Sequence, residues 1–180
     1  IYLDNNATTP ILEEVQKAMQ PYLNQVFGNP SAIHGIGRDA HDGLEMARRQ
    51  VSKLINARPK RIIFTGGGSE SDNLALKGAA FKRWKVGNHI ITTSIEHPAI
   101  LKTCQFLETV GFEVTYLDVD QEGMVCLQDF RKAIRKDTIL VSIMMANNEV
   151  GTIQPIKELC EIAQEKNLLF HTDAVQAAGK

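Results

Sequence analysis

From Arg61 onward the chain alternates short, apolar, β-branched runs with longer stretches of helical periodicity, and no other feature limits the fold as tightly. The apolar runs fall at 62–65, 89–94, 112–117, 138–145 and 168–172. Between them, apolar residues recur at helical spacing over 70–85, 98–110, 127–135 and 155–166. Strands that are apolar along their whole length are covered on both faces, and strands joined through helices run parallel. The sequence therefore predicts an α/β fold, a mostly parallel sheet with helices on both faces. No repeat, low-complexity tract or linker interrupts it.

The opening residues read differently. Tyr2-Leu3-Asp4-Asn5-Asn6-Ala7-Thr8-Thr9-Pro10 is a polar segment leading into a helix, with Thr9 as its cap and Pro10 in its first turn. Ile11, Val15, Ala18, Met19 and Tyr22 share one face of that helix. Phe27-Gly28-Asn29-Pro30-Ser31 then supplies turn residues. A second helix is predicted over 37–56, with Leu44, Ala47, Val51, Leu54 and Ile55 on one side.

Composition removes several classes of function. At 180 residues and 43% hydrophobic, the chain makes one ordinary domain or most of one. Twenty Lys+Arg against 21 Asp+Glu leave a net charge of −1, which argues against nucleic-acid binding. Aromatics at 6% argue against a base-stacking platform. The longest apolar run, 139–146, is broken by Ser142 and falls far short of the ~20 residues of a membrane span. Cys104, Cys126 and Cys160 are odd in number and form no CxxC pair. Neither a disulfide framework nor a metal site is expected, and reduced thiols of a cytoplasmic protein are the default. The chain opens at Ile1 without a signal-peptide pattern or an initiator Met, and is expected to be a piece of a longer protein.

Ligands of an open parallel sheet bind just beyond the carboxyl ends of its strands, so the residues that follow each strand are the place to look for chemistry. After the first run comes Gly66-Gly67-Gly68-Ser69-Glu70, leading into a helix. Glycines there let backbone N–H groups approach an anion and Ser69 adds a hydroxyl; the same residues also make a flexible connection with a serine cap. The loop is neither a Walker A motif nor GxGxxG. After the second run comes Glu96-His97-Pro98, whose imidazole can stack on a flat ligand, shuttle a proton or simply start a helix. After the fourth comes Asn147-Asn148-Glu149, a turn or a pair of amides facing a ligand. After the fifth comes Asp173, with Gln176 close behind. A carboxylate ending an apolar strand needs a partner, either a cationic ring nitrogen or the N–H groups of the next turn.

Taken together and in this order, the segments from Tyr2 to Thr9, Phe27 to Ser31, Phe64 to Asn73, Glu96-His97-Pro98-Ala99, Ala146 to Gly151 and His171-Thr172-Asp173-Ala174-Val175-Gln176 resemble the cysteine desulfurases of the NifS/IscS type. These are pyridoxal-phosphate enzymes of fold type I, and the resemblance runs along the whole chain. It implies pyridoxal 5′-phosphate as cofactor, with Gly68 and Ser69 at its phosphate. It implies that His97 stacks on the ring and does acid–base work, and that Asp173 pairs with the pyridine nitrogen. Gln176 would face the 3′ oxygen, and Asn148 would lie near the cofactor and the substrate carboxylate. The family often carries Ala-Thr where this chain has Gly68-Ser69, so the hydroxyl is kept.

The resemblance further implies a substrate, L-cysteine, converted to alanine with an enzyme persulfide as the other product. The sulfur would go to an acceptor or an iron–sulfur scaffold protein, from a homodimeric enzyme. It divides the chain into a segment 1–15 that packs with a small domain, and an incomplete large domain, 16–180, that continues beyond the end. The family's Schiff-base lysine, sulfur-accepting cysteine and carboxylate-binding arginine come later than Lys180, which matches a structural lysine instead. None of the three cysteines matches the nucleophile, so residues 1–180 alone are expected to be inactive. Competing readings are another fold type I enzyme, such as a selenocysteine lyase or an aminotransferase, and a noncatalytic piece completed by a second chain.

Overall fold

The computed structural model describes residues 1–6 and 8–179. Ala7, in the opening motif, and Lys180 lie outside the described residues. The contacts divide the chain into two units, Ile1–Phe64 and Thr65–Ala178.

The first unit holds helices α1 (Glu13–Asn24) and α2 (Gly35–Leu54) and a 3-10 turn at Pro59–Arg61. Helix α1 starts later than the Thr9-Pro10 signal suggests: its cap is Leu12, which offers no side-chain hydrogen bond. Glu13 and Glu14 fill the first turn instead, where negative charge complements the helix dipole. His34 caps α2, its Nδ1 accepting from the Gly37 amide at 3.3 Å. The Tyr22 ring lies where a side chain at position 43 would stand, since an ideal Cβ on Gly43 would meet it at 2.6 Å. The strand expected at 62–65 is absent from every ladder among the described residues. Apolar, β-branched content favours a strand only where a neighbour pairs with it, and here the Ile62 carbonyl accepts from the Arg48 guanidinium.

The second unit is the predicted α/β layer structure. Helix α3 (Gly68–Arg83) leads into β1 (His89–Thr93), followed by α4 (Pro98–Thr109), β2 (Glu113–Leu117), α5 (Leu127–Ala133), β3 (Thr138–Ser142), α6 (Ile156–Glu165) and β4 (Leu169–His171). These four strands pair in parallel, in the order β2-β1-β3-β4. The register slips once: His89 pairs with Thr138 but Ile90 with Leu140, leaving Ile139 as the extra residue of a bulge.

Alternation along the strands sends Ile90 and Leu140 into one apolar cluster with Leu76 and Ala80 of α3 and Ile100, Cys104 and Leu107 of α4. Ile91 and Val141 face the other way, onto Phe130 of α5 and Leu159, Ile162 and Ala163 of α6. The sheet is thus covered on both faces, which is why β1 and β3 are buried at every position. His89 sits at the amino end of β1, fully buried, between the Thr138 hydroxyl (2.7 Å from Nδ1) and the Thr115 hydroxyl (2.8 Å from Nε2). Burial holds its pKa below the ordinary histidine value, and the Arg135 charge adds to that.

Candidate functional site

Strand β1 has β2 on one side and β3 on the other, so the chain leaves β1 in one direction and later returns in the opposite one. The carboxyl ends of β1 and β3 flank this reversal, the point at which an open α/β sheet leaves a crevice. The segments that follow β1, β3 and β4 and the start of α3 carry the residues singled out from the sequence.

Gly68 is the first residue of α3, and a Cβ there would lie 3.2 Å from Val175 Cγ2. The helix terminus therefore sits directly against the segment that follows Asp173, and a larger residue at 68 would crowd it. The preceding loop is braced by its own groups: Thr65 Oγ1 lies 2.6 Å from Ser71 Oγ, and the Gly66 amide donates to Glu70 Oε2 at 2.6 Å. Ser69 is exposed in the first turn and lines one hollow with His97, Asn73, Lys102 and Thr103.

His97 caps α4. Its Nδ1 accepts from the Ala99 amide at 3.1 Å, so the neutral ring carries its proton on Nε2. Asp173 is half-buried, with Oδ1 accepting from the Val175 amide at 3.0 Å. Its carbonyl accepts from the Met145 amide at 2.8 Å, which prolongs the β3–β4 pairing into the site. Gln176 is half-buried in the turn in which the Ala177 and Ala178 amides bond the Ala174 carbonyl.

Asn148 is half-buried in a loop shaped by its neighbour. Asn147 donates from Nδ2 to the Ile95 carbonyl at 3.1 Å, and its Oδ1 accepts from the Glu149 and Val150 amides at 2.9 and 3.0 Å. The first asparagine of the pair thus ties the loop to the segment before His97. The second is left half-buried beside it.

Behind these stand three polar residues of the same motifs, Asp72, Glu96 and His171, to which the sequence alone gives no role. Asp72 is 5% exposed and lies on the buried stripe of α3 with Leu76 and Ala80, spaced four residues apart. An acid on an apolar stripe was the signal that could have marked it. Burial, and next the charge of Asp173, push its carboxyl up to about 6, while His97 opposes. Glu96 is 4% exposed; its Oε1 accepts from Thr93 Oγ1 at 2.7 Å and from the Met144 amide at 2.9 Å, joining the ends of β1 and β3. Its Oε2 is buried with no partner among the described residues, and burial raises the pKa to about 7. His171 Nε2 faces Asp72 Oδ1 at 3.7 Å.

What the arrangement offers is complementary to a flat, anionic, ring-bearing ligand. The first-turn N–H groups of α3 and the Ser69 hydroxyl suit a phosphate. The half-buried Asp173 suits a cationic ring nitrogen, and His97 stands at the rim of the hollow as a planar, proton-exchanging group. This parallel sheet with its switch-point crevice has the architecture of the fold type I pyridoxal-phosphate enzymes. Over residues 1–180 the chain matches the aminotransferase class-V family, and it belongs to that family.

It is 56% identical over 179 residues to the cysteine desulfurase IscS of Dictyoglomus turgidum, covering 99% of this chain and 45% of that protein. To the cysteine desulfurase IscS of Methanosarcina thermophila it is also 56% identical, with 99% and 44% covered. Among solved structures, a NifS-like protein superposes with a TM-score of 0.96 at 44% identity, over 100% of this chain and 50% of that one. SspA in complex with cysteine superposes with a TM-score of 0.94 at 44% identity, over 98% and 51%. The chain spans about half the length of the relatives it matches. Cysteine desulfurases and class-V aminotransferases depend on pyridoxal phosphate. Among the described residues no helix is long and apolar enough to cross a membrane.

Proposed function

We propose that the complete polypeptide is a pyridoxal-phosphate-dependent cysteine desulfurase, and that this chain supplies the phosphate, ring and proton-handling side of its site. The observation that carries the reading is the convergence of the α3 terminus, His97 and Asp173 at the sheet's switch point, in a chain 56% identical to cysteine desulfurases. When bound, pyridoxal phosphate supplies an electron sink for negative charge at the α-carbon of an amino acid.

The chain's own residues divide the work. Gly68 lets the helix terminus close on the phosphate, and Ser69 adds a hydroxyl donor. Asp173 holds the proton at the ring nitrogen, which its half-burial strengthens. His97, with Nδ1 engaged by Ala99, would offer its imidazole face to the ring and its Nε2 to exchange the substrate proton. Gln176 would meet the 3′ oxygen, and Asn148 the substrate carboxylate. In the overall reaction the C–S bond of L-cysteine breaks, the sulfur joins a thiol of the enzyme as a persulfide, and the carbon skeleton leaves as alanine. The thiol is not Cys104, which is fully buried and pushed by that burial up to about 12.

The lysine that bonds the cofactor, the nucleophilic cysteine and a carboxylate-binding arginine come from the rest of the polypeptide. Residues 1–15 pack with its small domain and 16–180 form part of the large one. The enzyme is a cytoplasmic homodimer and delivers sulfur to an acceptor such as an iron–sulfur scaffold protein. The test is to load the full-length protein with pyridoxal phosphate and assay alanine and sulfide from L-cysteine against keto-acid-dependent transamination. Stoichiometric alanine with reducible sulfur supports the reading; transamination without sulfur release refutes it.

A further inference from the structure

Strand β1 ends at Thr93, yet the chain from there to His97 stays tied to its neighbours. The Ser94 amide donates to the Leu117 carbonyl at the end of β2, 2.9 Å away. The Ile95 carbonyl accepts from Asn147 Nδ2 at 3.1 Å. The Glu96 carboxyl turns back toward the sheet, and its Oε1 accepts from Thr93 Oγ1 at 2.7 Å and from the Met144 amide at 2.9 Å. Each of the three residues before His97 is thus held from outside the segment. His97 itself is exposed, with its ring bonded to the Ala99 amide.

The bond to Met144 is the informative one. Just past β3, the Ile143 amide donates to the His171 carbonyl at 3.1 Å and the Met145 amide to the Asp173 carbonyl at 2.8 Å, both toward the β4 side. The Met144 amide between them points the other way, toward β1, where the chain has already left the sheet to start α4. A buried amide without an acceptor is costly, and here the Glu96 carboxyl takes the place of the missing ladder carbonyl. Consecutive amides of one segment therefore hold the residue before His97 on one side and Asp173 on the other.

We propose that Glu96 is a positioning residue for His97: by standing in for a ladder carbonyl on Met144, its carboxyl oxygen fixes where His97 stands relative to Asp173 and Asn148. That this placement serves desulfuration rests on the function proposed above; the brace itself does not. Asn147 acts alongside it, joining the Ile95 carbonyl to the loop that carries Asn148. A proton-transferring group displaced by ~1 Å loses up to about 100-fold in rate. The contacts expected of Ser69 and Asp173 do not pass through Glu96, so cofactor affinity suffers less.

The test uses the full-length protein, first without cofactor and then loaded with pyridoxal phosphate. Without cofactor, hydrogen exchange over 94–101 and 143–148 should speed up together in Glu96→Leu. It should return toward wild type in Glu96→Gln, which keeps the Oε1 acceptor. Faster exchange confined to 143–148 overturns the proposal, because His97 would then be held without Glu96. With cofactor, kcat per folded molecule should fall about 10–100-fold in Glu96→Leu, with the cofactor Kd changed less than about threefold. Glu96→Gln should recover most of that loss. Equal losses in kcat and cofactor affinity mark a general loosening and overturn the proposal, as does a glutamine variant as slow as the leucine one. Should Glu96→Leu not fold, Thr93→Val removes the hydroxyl that shares the same oxygen. It should raise exchange over 94–101 and lower kcat several-fold, and no change in either overturns the proposal. A loaded full-length protein that releases no alanine from L-cysteine refutes the function proposed above, while the exchange measurement still decides the brace.

Discussion

Replacing Glu96 with Gln isolates the cost of a carboxyl buried at the switch point. Glutamine keeps an Oε1 acceptor for Thr93 Oγ1 and the Met144 amide but cannot ionise. In the folded protein the Glu96 pKa is about 7, against 4.5 for the ordinary group. The unfolded chain therefore loses its proton at lower pH than the native one. Stability from this group is full below pH 4.5 and is lost progressively as pH rises to about 7. At ~1.4 kcal/mol for each tenfold difference in proton affinity, the loss is about 3 kcal/mol. Glutamine avoids that loss but places an amide NH2 where Oε2 has no partner, at a cost of about 1–3 kcal/mol that does not vary with pH. The informative quantity is thus the slope. Urea midpoints of the full-length wild type and Glu96→Gln, compared every half unit from pH 4.5 to 8, should show the variant gaining about 3 kcal/mol relative to wild type across that range. A gap that stays flat would refute the claim that burial raises the Glu96 carboxyl to about 7.

Asp173→Ala in the complete enzyme should nearly abolish turnover with the fold intact; near-normal alanine release would remove its role as ring partner. Ser69→Ala should weaken cofactor retention by about 10–100-fold, the worth of one hydrogen bond to a charged group, and affect saturated turnover less; cofactor titration with an unchanged Kd would count against it. Phe130→Ala removes a fully buried ring from the cluster beneath α5 and should cost about 3–5 kcal/mol in chemical denaturation, with a loss under 1 kcal/mol contradicting its place in the core.

The layer structure was legible because its signals are local. Short β-branched runs with apolar centres marked β1 and β3, and the helical periods marked α3 to α6 to within a few residues. What failed depended on partners. The run at 62–65 has strand composition but pairs with nothing among the described residues, and Thr9-Pro10 has cap chemistry three residues too early. At the site, the strand-end rule singles out His97, Asn148 and Asp173 because each lies in the segment that leaves the carboxyl end of a strand. It passed over Asp72, whose meaning depends on which face of α3 is buried. It passed over Glu96 as well, whose carboxyl matters only because β1 and β3 end side by side. In the asparagine pair it could not say which one braces the backbone. The structure gives that work to Asn147.

That bracing has a consequence for how binding is driven. The loop around Asn148 is tied inward by Asn147 and outward by Gln154, whose side chain accepts from the Val125 amide at 2.9 Å and donates to the Gly123 carbonyl at 2.6 Å. Gln154 is itself anchored through its amide to the Met145 carbonyl at 2.9 Å. A loop already ordered surrenders little conformational entropy when a ligand arrives, so contacts made there appear almost undiminished in affinity. The amides of 124–125 and 147–151 should exchange with solvent as one cooperative unit, and a substitution at Gln154, remote from the chemistry, should loosen binding through the entropy of the loop.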